Sequence, residues 1–205
     1  MLRIAVFVSG GGSNLQNIID NIESGDLKDT EIARVIASKN GIGAERRAVK
    51  HKIPFFVFNN ADSINSGILL DLLARDKVDM IVLAGYLQKI SPELIRAFPD
   101  KIINIHPALL PKHGGIGMYG LKPHEAVLAA GEKITGATVH TVNEEYDKGK
   151  ILLQRKVKVL PGDTAKSLQA RVMLEAEKII LPQVIQKFAL AKKAGTAPFA
   201  SGSKN

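Results

Sequence analysis

Short β-branched apolar runs alternate with helix-patterned stretches through the first half of the chain, an order that few folds accommodate. Residues 2–8 read as a buried strand, 9–14 as a glycine-rich turn, and 14–23 as a helix with Ile18, Ile19 and Ile22 on its inner face, stopped at Gly25. Strands follow at 32–38, 55–58 and 80–84, with helices at 43–51 and 66–75 between them. Ser91-Pro92-Glu93 opens another helix, with serine as N-cap, proline where a helix leaves its N–H unused, and an acid at the positive end of the dipole; it ends before Pro99. Strands joined by helices return by crossovers and pair in parallel, so a twisted sheet covered on both faces is expected.

The run Ile102-Ile103-Asn104-Ile105-His106-Pro107-Ala108-Leu109-Leu110-Pro111 closes this series as its last parallel strand. Its isoleucines suit burial on both faces, whereas Asn104 and His106 are polar groups that such a strand carries at a cost. Their spacing puts both on one face, and Pro107 ends the ladder so that the imidazole stands at the strand's carboxyl end, where open α/β sheets bind ligands. The plain alternative is a satisfied core histidine beside a turn asparagine. Residues 112–120 carry four glycines without periodicity and suit a loop that covers a site. His113 and His124 beside it read as surface or packing residues, and 124–130 as a short helix. Two alternating strands, 137–142 and 151–159, are joined by an acidic turn and form an antiparallel edge. Asp147 in that turn is by itself an ordinary turn aspartate, and His140 either faces the same cleft or packs. A long helix runs from Asp163-Thr164 to about residue 193, broken or kinked at Pro182, with Glu175 and Glu177 on different faces. The expected architecture is a single α/β domain over residues 1–190, a Rossmann-like, mostly parallel sheet with an antiparallel C-terminal edge and a long C-terminal helix. A Gly/Ser/Ala-rich tail at 191–205 is expected to be disordered.

The chain contains no cysteine, which removes disulfides, thiolate nucleophiles and cysteine-ligated metals, and fits a reducing, cytoplasmic setting. Its N-terminal apolar run is too short to span a membrane, and no paired histidine spacing suggests a metal. The net charge of +8 favours anionic partners. Aromatic residues make up only 5% of the chain and the basic ones are scattered, so a stacking surface for nucleic acid is not expected. Strand, glycine turn and helix N-terminus together form a natural anion site. Leu15 stands where the third glycine of a dinucleotide fingerprint belongs, and no Lys-Ser/Thr pair follows, so one phosphate monoester fits better than a pyrophosphate. A plain strand–helix turn is the alternative.

Ser9 to Gln16 (SGGGSNLQ), Leu83-Ala84-Gly85-Tyr86, Asn104-Ile105-His106-Pro107 with Leu109-Leu110-Pro111, and Asp147 in its turn resemble the folate-dependent glycinamide ribonucleotide formyltransferases of purine synthesis, over nearly the whole chain to about Phe188. The resemblance implies that the amine of glycinamide ribonucleotide attacks the formyl group of 10-formyltetrahydrofolate, the co-substrate, through a tetrahedral intermediate and without a metal. Asn104, His106 and Asp147 match the catalytic trio. On this reading Asn104 and a protonated His106 stabilise the oxyanion, and Asp147 keeps His106 charged, so a raised His106 pKa is expected. Gly11, Gly12, Ser13 and Asn14, followed by Leu15 and Gln16, match the loop that holds the substrate phosphate. Glu177 matches a glutamate on the ribose side, with Glu175 as the alternative. Leu87, Gln88, Lys89 and Ile90 match a segment lining the folate pocket. Asn143, Glu144, Glu145, Tyr146 and Asp147 match another segment lining it, and Asn104 is counted with them.

The partners so implied are the ribonucleotide and the formyl folate, without nucleic acid or membrane, for a monomer or weak homodimer. Two features depart from the family pattern: residues 59–67 lack a basic residue expected near the folate glutamate tail, with Asp62 about where it would fall, and Gly114 to Gly120 is longer and richer in glycine. Methionyl-tRNA formyltransferases and formyl-folate hydrolases share the trio but carry further domains, which are not expected here. A non-catalytic nucleotide-binding module would need the glycine loop but not His106 and Asp147 together. Gly12→Val is expected to weaken ribonucleotide binding while leaving the fold intact.

Overall fold

Successive residues of the first strand, β1 (Leu2–Val8), go to opposite cores of the molecule. Leu2, Ile4, Val6 and Val8 join one core, Ala5 and Phe7 the other, which is why the run reads as continuously apolar. The structure, a computed structural model, describes residues 1–58 and 65–199. After β1 come α1 (Ser13–Glu23), β2 (Thr30–Ala37), α2 (Gly43–Lys50), β3 (Phe55–Val57), α3 (Asn65–Arg75), β4 (Met80–Leu83), α4 (Pro92–Ala97) and β5 (Ile102–His106). These five strands pair in parallel, and β6 (Ile134–Thr141) and β7 (Ile151–Lys158) add the expected antiparallel edge, in the order β3-β2-β1-β4-β5-β6-β7. Ser91 caps α4 as expected, its hydroxyl accepting the Leu94 N–H at 3.3 Å.

One face of the sheet is covered by α1, α2, α5 (Lys122–Ala129), α6 (Ala165–Val172) and α7 (Lys178–Ala194), the other by α3 and α4. In β5, Ile103 and Ile105 join the first core and Ile102 the second. Asn104 and His106 follow Ile102 on its face, where apolar cover gives way to a cleft.

The long C-terminal helix differs from expectation in where it is interrupted. Pro182 lies inside α7, and the break comes earlier, at a π-helical turn, Met173–Glu177. Proline at 182 deprives the Lys178 carbonyl of its helical donor, and the Asn17 side chain of α1 supplies another, its Nδ2 donating to that oxygen at 2.9 Å. The boundary placed at residue 190 falls within α7. Gly195 ends that helix in the left-handed region, and the Phe199 ring packs edgewise on Phe188 at 5.8 Å, so packed chain extends through residue 199; residues 200–205 lie outside the described residues. Among the described residues no helix is long and apolar enough to cross a membrane.

Candidate active site

The chain runs outward from β1 to β2 and β3 on one side and from β4 to β5 on the other, so a crevice opens where the order reverses, at the carboxyl ends of β1 and β4. A cleft of about 640 Å³ occupies it. At one end lies the start of α1. Gly12 is the N-cap and no side chain caps the first turn, so the leading amides keep their hydrogen-bonding capacity for a ligand. Gly11, Gly12, Ser13 and Asn14 all border the cleft. Arg47 of α2 backs this loop, donating through Nε to the Gly11 carbonyl at 2.8 Å and through Nη1 to Gln16 Oε1 at 2.9 Å.

One expectation for this loop is corrected and another is narrowed to its side chains. Each helical step rotates the side chain by about 100°, so the residues after Asn14 leave the cleft. The Leu15 side chain is fully buried in the core and Gln16 turns towards Arg47 and Asp20, so neither side chain lines the cavity, while the Leu15 N–H stays among the leading amides of the first turn. Gly12 has φ of 74° and a Cβ there would stand 2.8 Å from the Ala44 Cβ, so Gly12→Val would strain the backbone and drive α1 against α2 rather than spare the fold.

The trio meets at the centre. The His106 ring, at the end of β5, points Nε2 at the His113 carbonyl 2.9 Å away, which can only accept, so that nitrogen carries the proton. Nδ1 then faces Asp147 Oδ2 at 3.6 Å. Asn104 Nδ2 lies 3.1 Å from His140 Nε2 and 3.5 Å from Asp147 Oδ1. Asp147 sits in the turn after β6, with the Gly115 N–H donating to its Oδ2 at 2.8 Å. The glycine-rich loop therefore closes on the Asp147 carboxylate. Burial works to raise that carboxyl, but the groups around it, with the Gly115 N–H donating directly, outweigh it and hold Asp147 below its ordinary value. The raised pKa expected for His106 is not found. Burial of the ring lowers it and prevails over the Asp147 charge that raises it, which favours the neutral imidazole.

Glu177, in the π-helical turn, borders the cleft, whereas Glu175 is exposed outside it. The Glu177 carboxyl is 4% exposed and accepts a hydrogen bond from Asn14 Nδ2 at 2.7 Å. Burial pushes its pKa up to about 7 against that hydrogen bond. His124 proves to be a packing residue that also borders the cleft; burial, with His106 nearby, pushes it down to about 4. Neither His124 nitrogen hydrogen-bonds among the described residues. On the other wall Ser9 Oγ accepts the Leu87 N–H at 2.9 Å, tying the turn after β4 to the glycine loop. Leu87, Gln88, Lys89 and Ile90 line that wall, and Asn143, Glu144, Glu145 and Tyr146 lead to Asp147 opposite. Lys89 reaches over the Tyr146 ring at 5.9 Å. Asp62 lies outside the described residues, and among those described no group of three His, Asp or Glu could hold a metal.

Sequence does not single out Arg47 or the His113 carbonyl, and it leaves His140 undecided between cleft and core. Their roles depend on which strand and loop lie opposite, and no local pattern carries that.

Residues 2–185 match the formyl transferase family. The chain is 43% identical over 187 residues to the chloroplastic phosphoribosylglycinamide formyltransferase of Arabidopsis thaliana, covering 89% of this chain and 64% of the relative. It is 42% identical over 192 residues to the phosphoribosylglycinamide formyltransferase of Haemophilus influenzae, covering 92% and 87%. The crystal structure of glycinamide ribonucleotide transformylase 1 from Symbiobacterium toebii superposes with a TM-score of 0.85 at 34% identity, over 93% of this chain and 89% of that one. The chain spans 64% and 59% of the length of two plant relatives that it matches.

Proposed function

The chain belongs to the formyl transferase family, and on that premise we propose that it transfers a formyl group from 10-formyltetrahydrofolate to the amine of glycinamide ribonucleotide in purine synthesis. The observation that carries this reading is the meeting of Asn104, His106 and Asp147 in one cleft with an uncapped helix N-terminus. The leading amides of α1 hold the substrate phosphate, with Arg47 adding positive charge behind them. Glu177 accepts from the ribose hydroxyls, and the segments 87–90 and 143–147 enclose the folate.

Asn104 donates an N–H to the formyl oxygen as the amine attacks and charge develops there. His106 begins neutral, with the lone pair on Nδ1, and takes the proton that the attacking nitrogen must lose. The imidazolium so formed faces the Asp147 carboxylate, which stabilises it. His106 then returns the proton to the departing folate nitrogen as its bond to carbon breaks. The protein acts in the cytoplasm as a monomer or weak homodimer, without a metal.

The test mixes protein and formyl folate with and without glycinamide ribonucleotide and follows loss of the formyl group. Turnover that requires the amine and yields the formylated ribonucleotide is expected. Equal turnover without the amine would mark a hydrolase, and no turnover with either a binding module; both would overturn the proposal.

A further inference from the structure

We infer that His140 is a positioning residue, which fixes the Asn104 amide so that one of its N–H groups is presented to the formyl oxygen. The kinetic part of this inference rests on the reaction proposed above; the structural part does not. The antiparallel register of β5 and β6 sets His140 directly opposite Asn104. The register between β6 and β7 shifts between Val139 and His140, an irregularity of the kind that re-aims a side chain. The ring is 1% exposed.

Its Nδ1 lies 2.8 Å from the Thr141 carbonyl, an acceptor, so Nδ1 carries the proton and, in the tautomer this selects, Nε2 has a lone pair. At 3.1 Å from that lone pair only the NH₂ end of Asn104 makes a hydrogen bond; the amide turned over would set oxygen against nitrogen lone pair. Asp147 Oδ1 stands 3.5 Å from the same nitrogen, so the amide faces an acceptor on both His140 and Asp147. The second Asn104 N–H is held only at 3.5 Å, by Asp147, and is free to serve the substrate.

The device is anchored from behind. A Cβ at Gly149 would lie 1.6 Å from the Thr141 oxygen, so the turn that carries Asp147 presses its backbone on the carbonyl that orients His140. One turn thereby places two members of the trio, Asp147 directly and Asn104 through Thr141 and His140.

The test compares His140→Ala with His140→Gln, because a glutamine amide oxygen reaches about where Nε2 stood and can still accept. In the alanine variant kcat should fall roughly 10–100-fold with both KM values little changed, and glutamine should restore most of it. In the ligand-free protein, NMR should find His140 as the Nδ1–H tautomer. One side-chain amide proton of Asn104 should be protected from exchange, lose that protection in His140→Ala and regain it in His140→Gln. A wild-type Nε2–H tautomer would overturn the inference, as would a folded glutamine variant as slow as alanine with unchanged Asn104 signals. Should His140→Ala fail to fold, the tautomer and the glutamine variant still decide. Absence of formyl transfer in the wild type would defeat the reaction proposed above, while the NMR results would still decide whether His140 orients Asn104.

Discussion

Replacing Glu177 by glutamine should make the ligand-free protein more stable above neutral pH and leave it nearly unchanged in acid. The carboxyl is buried against α1, with Asn14 as its hydrogen-bond donor. Burial moves its pKa from 4.5 to about 7. The unfolded chain ionises this group near its ordinary value while the folded protein keeps it protonated until pH rises through about 7, so the unfolded state gains over that interval. Stability conferred by the protonated form is complete below about pH 4.5, declines as pH rises, and is lost above about 7. A shift of this size corresponds to about 3 kcal/mol at saturation. Glutamine cannot ionise, and its amide oxygen accepts from Asn14 as the carboxyl does. In a chain of this length about 3 kcal/mol should appear as roughly 6–12 °C in Tm.

The assay is thermal and urea denaturation of both proteins from about pH 5 to about pH 8, within the window set by the shift. The wild-type curve should fall relative to the variant across this range, and parallel curves would refute the argument. Ligand binding gives a second reading. Hydroxyl donors of a ribose stabilise the carboxylate, so wild-type affinity for the ribonucleotide should increase with pH up to about 7 with proton release on binding, and Glu177→Gln should lose both.

Asp147→Asn should reduce kcat by about 10²–10⁴ with KM nearly unchanged, and His106→Ala should lose a similar amount, the double variant far less than the product. Because burial already depresses His106, Asp147→Asn should lower its NMR-measured pKa further; independent losses with an unmoved pKa would show that Asp147 only shapes its turn. Gly11, where an added Cβ would meet open space, is a cleaner probe of the phosphate loop than Gly12. Gly11→Val should raise the ribonucleotide KM about tenfold with Tm maintained, whereas Gly12→Val should cost about 2–4 kcal/mol of stability. Asn17→Ala should cost about 1–3 kcal/mol in denaturant titrations by leaving the Lys178 carbonyl unpaired, and less in a Pro182→Ala background, where residue 182 regains its N–H.

Local patterns were enough for the alternation of strands and helices, the Ser91 cap and the pairing of Asn104 with His106, because each depends on a few neighbouring residues. The expected charge on His106 failed for a different reason. The residue types reveal that an aspartate is available to the histidine, but the sign of the net shift depends on how completely the ring is removed from water. The side chains of Leu15 and Gln16 leave the cleft because adjacency in a motif is not adjacency of side chains: the first turn of α1 presents its leading residues to the cleft and rotates the next two towards the core and towards Arg47.

The choice between Glu175 and Glu177 depends on helix phase, which one local irregularity controls. Leu168 and Val172 are buried in α6, and an uninterrupted α-helix would next bring residues 175 and 176 inward, favouring Glu175. Across the π-helical turn, the buried positions become Ala176 and Glu177, followed by Ile180, Leu181, Val184 and Ile185. The extra residue per turn has moved the inward stripe by about one position. The same shift permits α7 to run past Pro182 with Asn17 on the freed carbonyl, since the stripe it presents to α1 is now the one containing Glu177 and Pro182. Asn14 and Asn17, one turn apart on α1, each contact this displaced segment, the first at the carboxylate and the second at the backbone. The irregularity in the C-terminal helix and the polar residues of α1 are therefore one arrangement. It sets a buried carboxyl beside the first turn of α1, at the edge of the cleft.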